Sequence, residues 1–217
     1  MIEAARKKGL FLMEAMWTRF LPVWVDLKGR LDSGEFGKIG FLNSSFGEAM
    51  PYEPEGRAYN PHLAGGALLD LGVYPVSLAS WLLGKPGGMT SRVKMADTGV
   101  DERNAMIFTY PDGSFANLST ALDVTTGCET EIAAEKALIR VKPQWFEAQS
   151  YEVVTPEGTD VVSRPFENGF QFEIAHAMKC IRKGQIESEV MPLDESLEIA
   201  RTMDALRGDW GLKYPFE

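Results

Sequence analysis

Apolar positions along the chain change their spacing several times, and each change marks a new element. Met1 to Lys8 has a helical pattern that stops at Gly9, a residue suited to the left-handed turn that closes helices. Leu10 to Met16 is a short apolar run and predicts a buried strand. From Pro22, a residue tolerated in a first helical turn, Val23, Trp24, Leu27 and Leu31 recur at helical spacing until Ser33-Gly34. Lys38 to Phe46 alternates as a strand does. Gly47 to Ala64 is rich in Pro, Glu and Gly and predicts a loop, and long loops inside compact domains are often functional.

Gly65 to Leu83 predicts the most apolar helix, with Gly84-Lys85-Pro86-Gly87-Gly88 as its stop. From Thr90 to about Val162 the period changes. Asn104–Tyr110, Ser114–Thr120 and Ala137–Val141 read as strands, and Pro111-Asp112-Gly113 and Pro156-Glu157-Gly158 read as turns. Hairpin connections of this kind make an antiparallel sheet. Phe172–Lys183, ending at Gly184, and Leu193–Leu206, following Pro192, predict two closing helices. The whole is an α+β arrangement: an open, mostly antiparallel sheet with helices packed on one face. No internal repeat or linker divides it. The opening helix and strand, with no cap before them, look like the tail of an upstream unit, so Met1 need not be a natural start.

Composition narrows the function. A net charge of −9 and a pI near 4.9 argue against nucleic acid, whose phosphates require clustered Lys and Arg. Cys128 and Cys180 form no CxxC, which predicts no disulfide framework and a reducing, cytoplasmic setting. His62 and His176 are too scattered for a histidine metal site. No apolar run is expected to reach the ~20 residues of a membrane span, and no signal peptide is read at the N-terminus. There is no P-loop, and the nearest approach to a dinucleotide fingerprint, Gly34 to Gly40, has GxxGxxG spacing and joins helix to strand, the wrong polarity for pyrophosphate.

The candidate chemistry lies in Gly65-Gly66-Ala67-Leu68-Leu69-Asp70-Leu71-Gly72-Val73-Tyr74-Pro75. On a helix, Asp70 and Tyr74 share a face. Asp70 is the sole charge between Gly65 and Gly84, and a carboxylate in so apolar a helix needs a partner or a function. Tyr74 offers a phenol, whose free pKa of ~10 must be lowered by a cation before it can take a proton. The plainer reading bonds Asp70 to nearby backbone and puts Tyr74 in the core.

Together, Glu14-Ala-Met-Trp-Thr-Arg-Phe-Leu-Pro22 and the glycine-rich helix, followed by Arg57's loop, the hairpins, Glu167-Asn-Gly-Phe-Gln-Phe172 and Met191-Pro-Leu-Asp-Glu-Ser196, resemble the Gfo/Idh/MocA oxidoreductases. The likeness is strongest to the branch of dihydrodiol and sugar dehydrogenases. It implies a glyceraldehyde-3-phosphate dehydrogenase-like C-terminal domain over residues 21–217, for substrate binding and oligomerisation. Residues 1–20 would be the end of a Rossmann domain and the crossover from it. It further implies a secondary alcohol of a sugar, polyol or trans-dihydrodiol as substrate, and NAD or NADP as cofactor in the full-length protein. Tyr74 would exchange the substrate's hydroxyl proton, and Asp70 would orient Tyr74 or the substrate. The family's catalytic lysine, in a Glu-Lys-Pro motif, has no counterpart here, so the chain alone is expected to bind no cofactor and to be inactive.

Trp17 and Arg19 stand at the crossover and are candidate substrate contacts, with domain-base packing and a structural ion pair as equal alternatives. Phe170 and Phe172 are candidate pocket walls or ordinary core, and Arg57 is a candidate substrate contact or a solvated loop residue. A homo-oligomer through the open sheet face is expected. The rival reading is a non-catalytic sheet domain for self-assembly or partner binding.

Overall fold

The computed structural model describes residues 1–217. Eight strands form one sheet: β1 Ile39–Gly47, β2 Gly88–Met95, β3 Asp101–Thr109, β4 Phe115–Ala121, β5 Thr130–Ala134, β6 Leu138–Val141, β7 Ser150–Thr155 and β8 Gly158–Ser163. Their spatial order is β2-β3-β4-β1-β5-β6-β7-β8, and every neighbouring pair is antiparallel except β1 and β4. The Pro111-Asp112-Gly113 and Pro156-Glu157-Gly158 turns close β3–β4 and β7–β8. The predicted α+β class and open antiparallel sheet are therefore present.

The helices are α1 Ile2–Lys8, α2 Pro22–Asp32, α3 Val73–Leu83, α4 Phe170–Arg182 and α5 Leu193–Trp210. Strand alternation puts Leu42, Met106, Phe108, Leu118, Ile132, Ile139 and Val153 on the inner face, beneath Trp24, Leu27, Val76, Ile199 and Met203 of the helices. The other face carries Phe41, Ile107 and Phe115, each more than a third exposed, with Phe41 and Phe115 stacked at 5.5 Å.

Two expectations are corrected. Leu10 to Met16 makes no strand: its backbone bonds to other segments are the Leu10 N–H to Ala5 O (3.0 Å), the Leu12 N–H to Ile186 O (3.1 Å) and the Arg19 N–H to Met16 O (3.1 Å), none of them in a ladder, and Leu10 is exposed. Apolar character alone does not make a ladder where no neighbouring strand is present. Nor is the chain free of a span-length apolar run. The helical stretch Pro61–Leu83 has 23 residues, long and apolar enough to cross a membrane, and here more than half of its apolar window lies buried inside the protein.

That stretch carries the candidate site, and it is not a uniform α-helix. Over Leu68–Gly72 it opens to a π-helical turn before tightening into α3. Pro75, two residues into α3, has no N–H to return to Leu71, so the ladder is already interrupted at this point. Turns of this kind are frequent at functional sites.

Candidate functional site

Tyr74, on α3, meets three aromatic side chains from distant parts of the chain, and a fourth packs behind one of them. Phe46, at the end of β1, and Phe146, on the short 3-10 turn Trp145–Glu147, stack on each other at 4.2 Å and present edges or faces to the Tyr74 ring at 5.4 and 6.1 Å. Trp17, on the 3-10 turn Trp17–Phe20, donates its indole N–H to the Tyr74 hydroxyl at 3.3 Å. Phe170 tilts against Trp17 at 4.5 Å and is half exposed. Gly169 makes this approach possible, because a Cβ there would stand 2.4 Å from the Trp17 ring.

An indole is a donor only. By bonding the Tyr74 oxygen it fixes the phenol and leaves the hydroxyl's own hydrogen, and a second lone pair, for a ligand. The arrangement therefore both holds the group and keeps it chemically free.

Asp70 does not touch Tyr74. Its carboxylate pairs with the Arg57 guanidinium, which reaches it from the long loop. Asp70 is mostly shielded (17% of its side chain exposed) while Arg57 is 70% exposed, so the pair lies at the rim with its cation toward solvent. The reading of Arg57 as a merely solvated loop residue gives way to an ion pair, and the hydroxyl of Tyr74 is oriented by Trp17 rather than by Asp70.

Arg19 leaves the set of substrate contacts. It is 1% exposed, and its guanidinium is committed to the Ser77 hydroxyl and carbonyl (3.1 and 2.7 Å), Val190 O (3.4 Å) and Glu195 (2.7 Å), with Trp81 stacked on it. It pins α3 to α5 from the crossover. Phe172 packs edge-on to Phe166 at 5.6 Å, against the main core. His176 shares a 2.8 Å hydrogen bond with the Ser188 hydroxyl and packs on Phe20, and burial pushes its pKa down, all consistent with a structural role.

Beside the Trp17–Phe170 pair opens a cleft of about 610 Å³ whose walls include Gln144, Glu147, Gln149, Glu167 and Asn168. Amides and carboxylates of this kind suit a ligand with several hydroxyl groups. A second cleft, between α3 and α5, has carboxylates already paired: Glu195 with Arg19, and Glu198 with Lys85.

Phe46 and Phe146 were not legible as site residues. Each is one apolar position in a strand-like or irregular segment, and only the fold brings them to Tyr74. The one sequence signal was Phe146's place in Gln144-Trp-Phe-Glu147, an aromatic pair within a polar turn.

The family model described as "GFO/IDH/MocA C-terminal domain" matches residues 24–140. Trans-1,2-dihydrobenzene-1,2-diol dehydrogenase of Xenopus laevis is 32% identical over 225 residues, covering 99% of this chain and 67% of the relative; the Homo sapiens enzyme of that name is 31% identical and covered to 66%. The chain thus spans about two thirds of the relatives' length. An aldose-aldose oxidoreductase from Caulobacter crescentus, solved with glycerol, superposes with a TM-score of 0.83 at 21% identity, covering 94% of this chain and 63% of that one. A levoglucosan dehydrogenase solved with NADH and levoglucosan gives 0.82 at 14% identity, covering 94% and 65%. At these identities the two structures establish a shared fold.

Proposed function

Because the chain belongs to the GFO/IDH/MocA family, we propose that it is the substrate-side domain of a nicotinamide-dependent oxidoreductase acting on a secondary alcohol of a trans-dihydrodiol or sugar. The observation that carries this reading is the Tyr74 phenol, held by the Trp17 indole at 3.3 Å with its proton free, at the base of an aromatic bowl. Tyr74 moves the proton of the substrate hydroxyl, while Phe46, Phe146 and Phe170 exclude water from the reacting carbon. Asp70, with Arg57, holds a neighbouring hydroxyl at the rim.

The residues present suit one end of the cofactor. Phe170, half exposed and tilted on Trp17, offers a flat apolar surface beside the Tyr74 hydroxyl that fits a nicotinamide ring. When bound, that ring supplies hydride chemistry at the carbinol carbon. A glycine-rich strand-to-helix turn for the pyrophosphate does not occur in these 217 residues, so that end requires a second domain. Residues 1–20 and the apolar stripe of α4 (Phe170, Ile174, Met178 and Ile181, all exposed) are its seat.

The test is an assay of the protein in its native polypeptide, with NAD and with NADP, offering trans-dihydrodiols, aldoses and levoglucosan. Reduced nicotinamide forms with at least one of them. Cofactor binding without turnover of any secondary alcohol would overturn the reading.

The open sheet face completes the proposal as a homodimer surface, supported by the exposed Phe41–Phe115 stack. Phe41→Asp is expected to convert a dimer to a monomer in sedimentation without loss of secondary structure. An unchanged sedimentation coefficient in both forms would exclude this face.

A further inference from the structure

We propose that Asp101, on β3, is a positioning residue for the site: its buried carboxylate fixes the first turn of the helix that carries Asp70 and Tyr74, and its ionisation is read out at the Trp17–Tyr74 contact. The inference rests on the functional reading of Tyr74 given above. It concerns a residue whose side chain lies outside the aromatic bowl.

Asp101 is fully buried. One carboxylate oxygen accepts from the Leu68 backbone N–H at 2.7 Å and from the Asn104 amide at 2.9 Å, and Asn104 in turn accepts from the Thr120 hydroxyl at 3.0 Å on β4. The inner sheet thereby grips the helix at its first free donor, the group a capping side chain normally satisfies. The other oxygen has no partner. It lies 2.2 Å from where a Cβ on Gly66 would be, so Gly66, at φ +123°, has no room for a side chain.

The same junction holds the loop that delivers Arg57. The Gly66 N–H donates to Ala58 O (2.9 Å), the Gly65 N–H donates to Asn60 O (3.0 Å), and the Tyr214 hydroxyl donates to Gly65 O (2.7 Å). A shift at Leu68 is thus transmitted in two directions: along the helix to Asp70 and Tyr74, and back into the loop to Arg57.

The charged and titratable groups around Asp101 are Arg207 on α5, Tyr214, and Glu217, which pairs with Arg207. Arg207 lies over the Tyr214 ring and has two buried nitrogens without partners, so its charge reaches Asp101 through space and not through a bond. Burial pushes the Asp101 carboxyl up to about 6, against the lowering effect of Leu68, Asn104 and Arg207. A raised carboxyl pKa means that the folded chain takes up its proton at higher pH than the unfolded chain. Stability present below about pH 4 is therefore lost as pH rises toward 6. A cap needed only for folding is served as well by a neutral amide. Here a carboxylate is kept at a cost to stability.

The experiment is an NMR titration of the full chain from pH 4.5 to 7.5, following the Leu68 amide and the Trp17 indole N–H, with Trp17→Phe identifying the latter among the five tryptophans. Both signals are expected to move together with a midpoint near 6. In Asp101→Asn both are expected to lose that transition, with melting temperature no longer falling between pH 4 and 6. A Leu68 transition with a stationary Trp17 indole would reduce Asp101 to a local cap and overturn the proposal, as would a Trp17 transition that survives in Asp101→Asn. None of these readings requires turnover or cofactor, so failure of the positioning role is distinguishable from failure of the proposed reaction.

Discussion

Tyr74→Phe is expected to lower turnover by about 10²-fold or more, the usual contribution of a positioned acid or base, while leaving the fold intact. The substitution removes one oxygen and keeps the ring that packs on Phe46 and Phe146. Its structural cost is one 3.3 Å hydrogen bond from the buried Trp17 indole, about 1 kcal/mol. Loss of activity with a melting temperature little changed therefore assigns a chemical role to the hydroxyl. The informative split is between kcat and KM. A group used in the transition state lowers kcat and kcat/KM together, whereas a group that only binds substrate raises KM alone. Turnover within a few-fold of the wild type would remove Tyr74 from proton transfer and leave it as a wall.

Trp24→Ala is expected to cost about 3–5 kcal/mol of unfolding free energy, the range for deleting a large buried aromatic side chain, measured by denaturant titration at constant pH. Trp24 has no exposed surface, packs edge-on to Trp145 at 6.0 Å, and donates its indole N–H to Trp145 O at 2.8 Å. The loss is thus a cavity plus an unsatisfied buried carbonyl. The effect also has a functional side. The 3-10 turn Trp145–Glu147 is held on three sides: by Trp24, by the Thr18 hydroxyl on Phe146 O (2.8 Å), and by the Trp145 indole on Ser45 O (2.9 Å) of β1. Releasing the first support frees Phe146, which stacks on Phe46 beneath Tyr74. A Trp24→Ala protein less than about 1 kcal/mol below wild type would mean that the neighbouring side chains collapse into the space.

Much of the fold was legible because it is written in local signals. The glycine stop behind Leu83, the Pro-Asp-Gly and Pro-Glu-Gly turns, and the apolar spacing of α2 each specify one element without reference to any other. Strands β2, β5, β7 and β8 were not individually delimited. They carry Arg92, Lys94, Glu131, Glu152 and Asp160, and their pairing comes from neighbours rather than from an apolar pattern of their own. The reverse error occurred at Leu10–Met16, where an apolar run had no partner to pair with.

The site divided in the same way. Asp70 and Tyr74 stood out because they interrupt an apolar helix, a property visible within one segment. Arg19 and Arg57 were ambiguous because a guanidinium is read by its partners. Those partners, Glu195 and Asp70, come from distant segments. Arg19 proved to be a buried tie and Arg57 a rim ion pair, and nothing in their immediate sequence distinguishes the two.

The single parallel pair, β1 with β4, has a consequence for how the molecule assembles. Strands β2 to β4 form one meander and β5 to β8 another, each from contacts between near neighbours in sequence. β1 is the keystone between them, yet it is made first and must close against Phe115–Ala121 across the loop, the whole helix and two strands. The pairings of β1 with β4 and with β5 span the longest separations in the sheet, and topologies dominated by such distant contacts fold slowly. The half-sheets need only local contacts, so their union through β1 is expected to follow them. Phe46 sits on that last strand, so the floor beneath Tyr74 is complete only when the sheet becomes continuous.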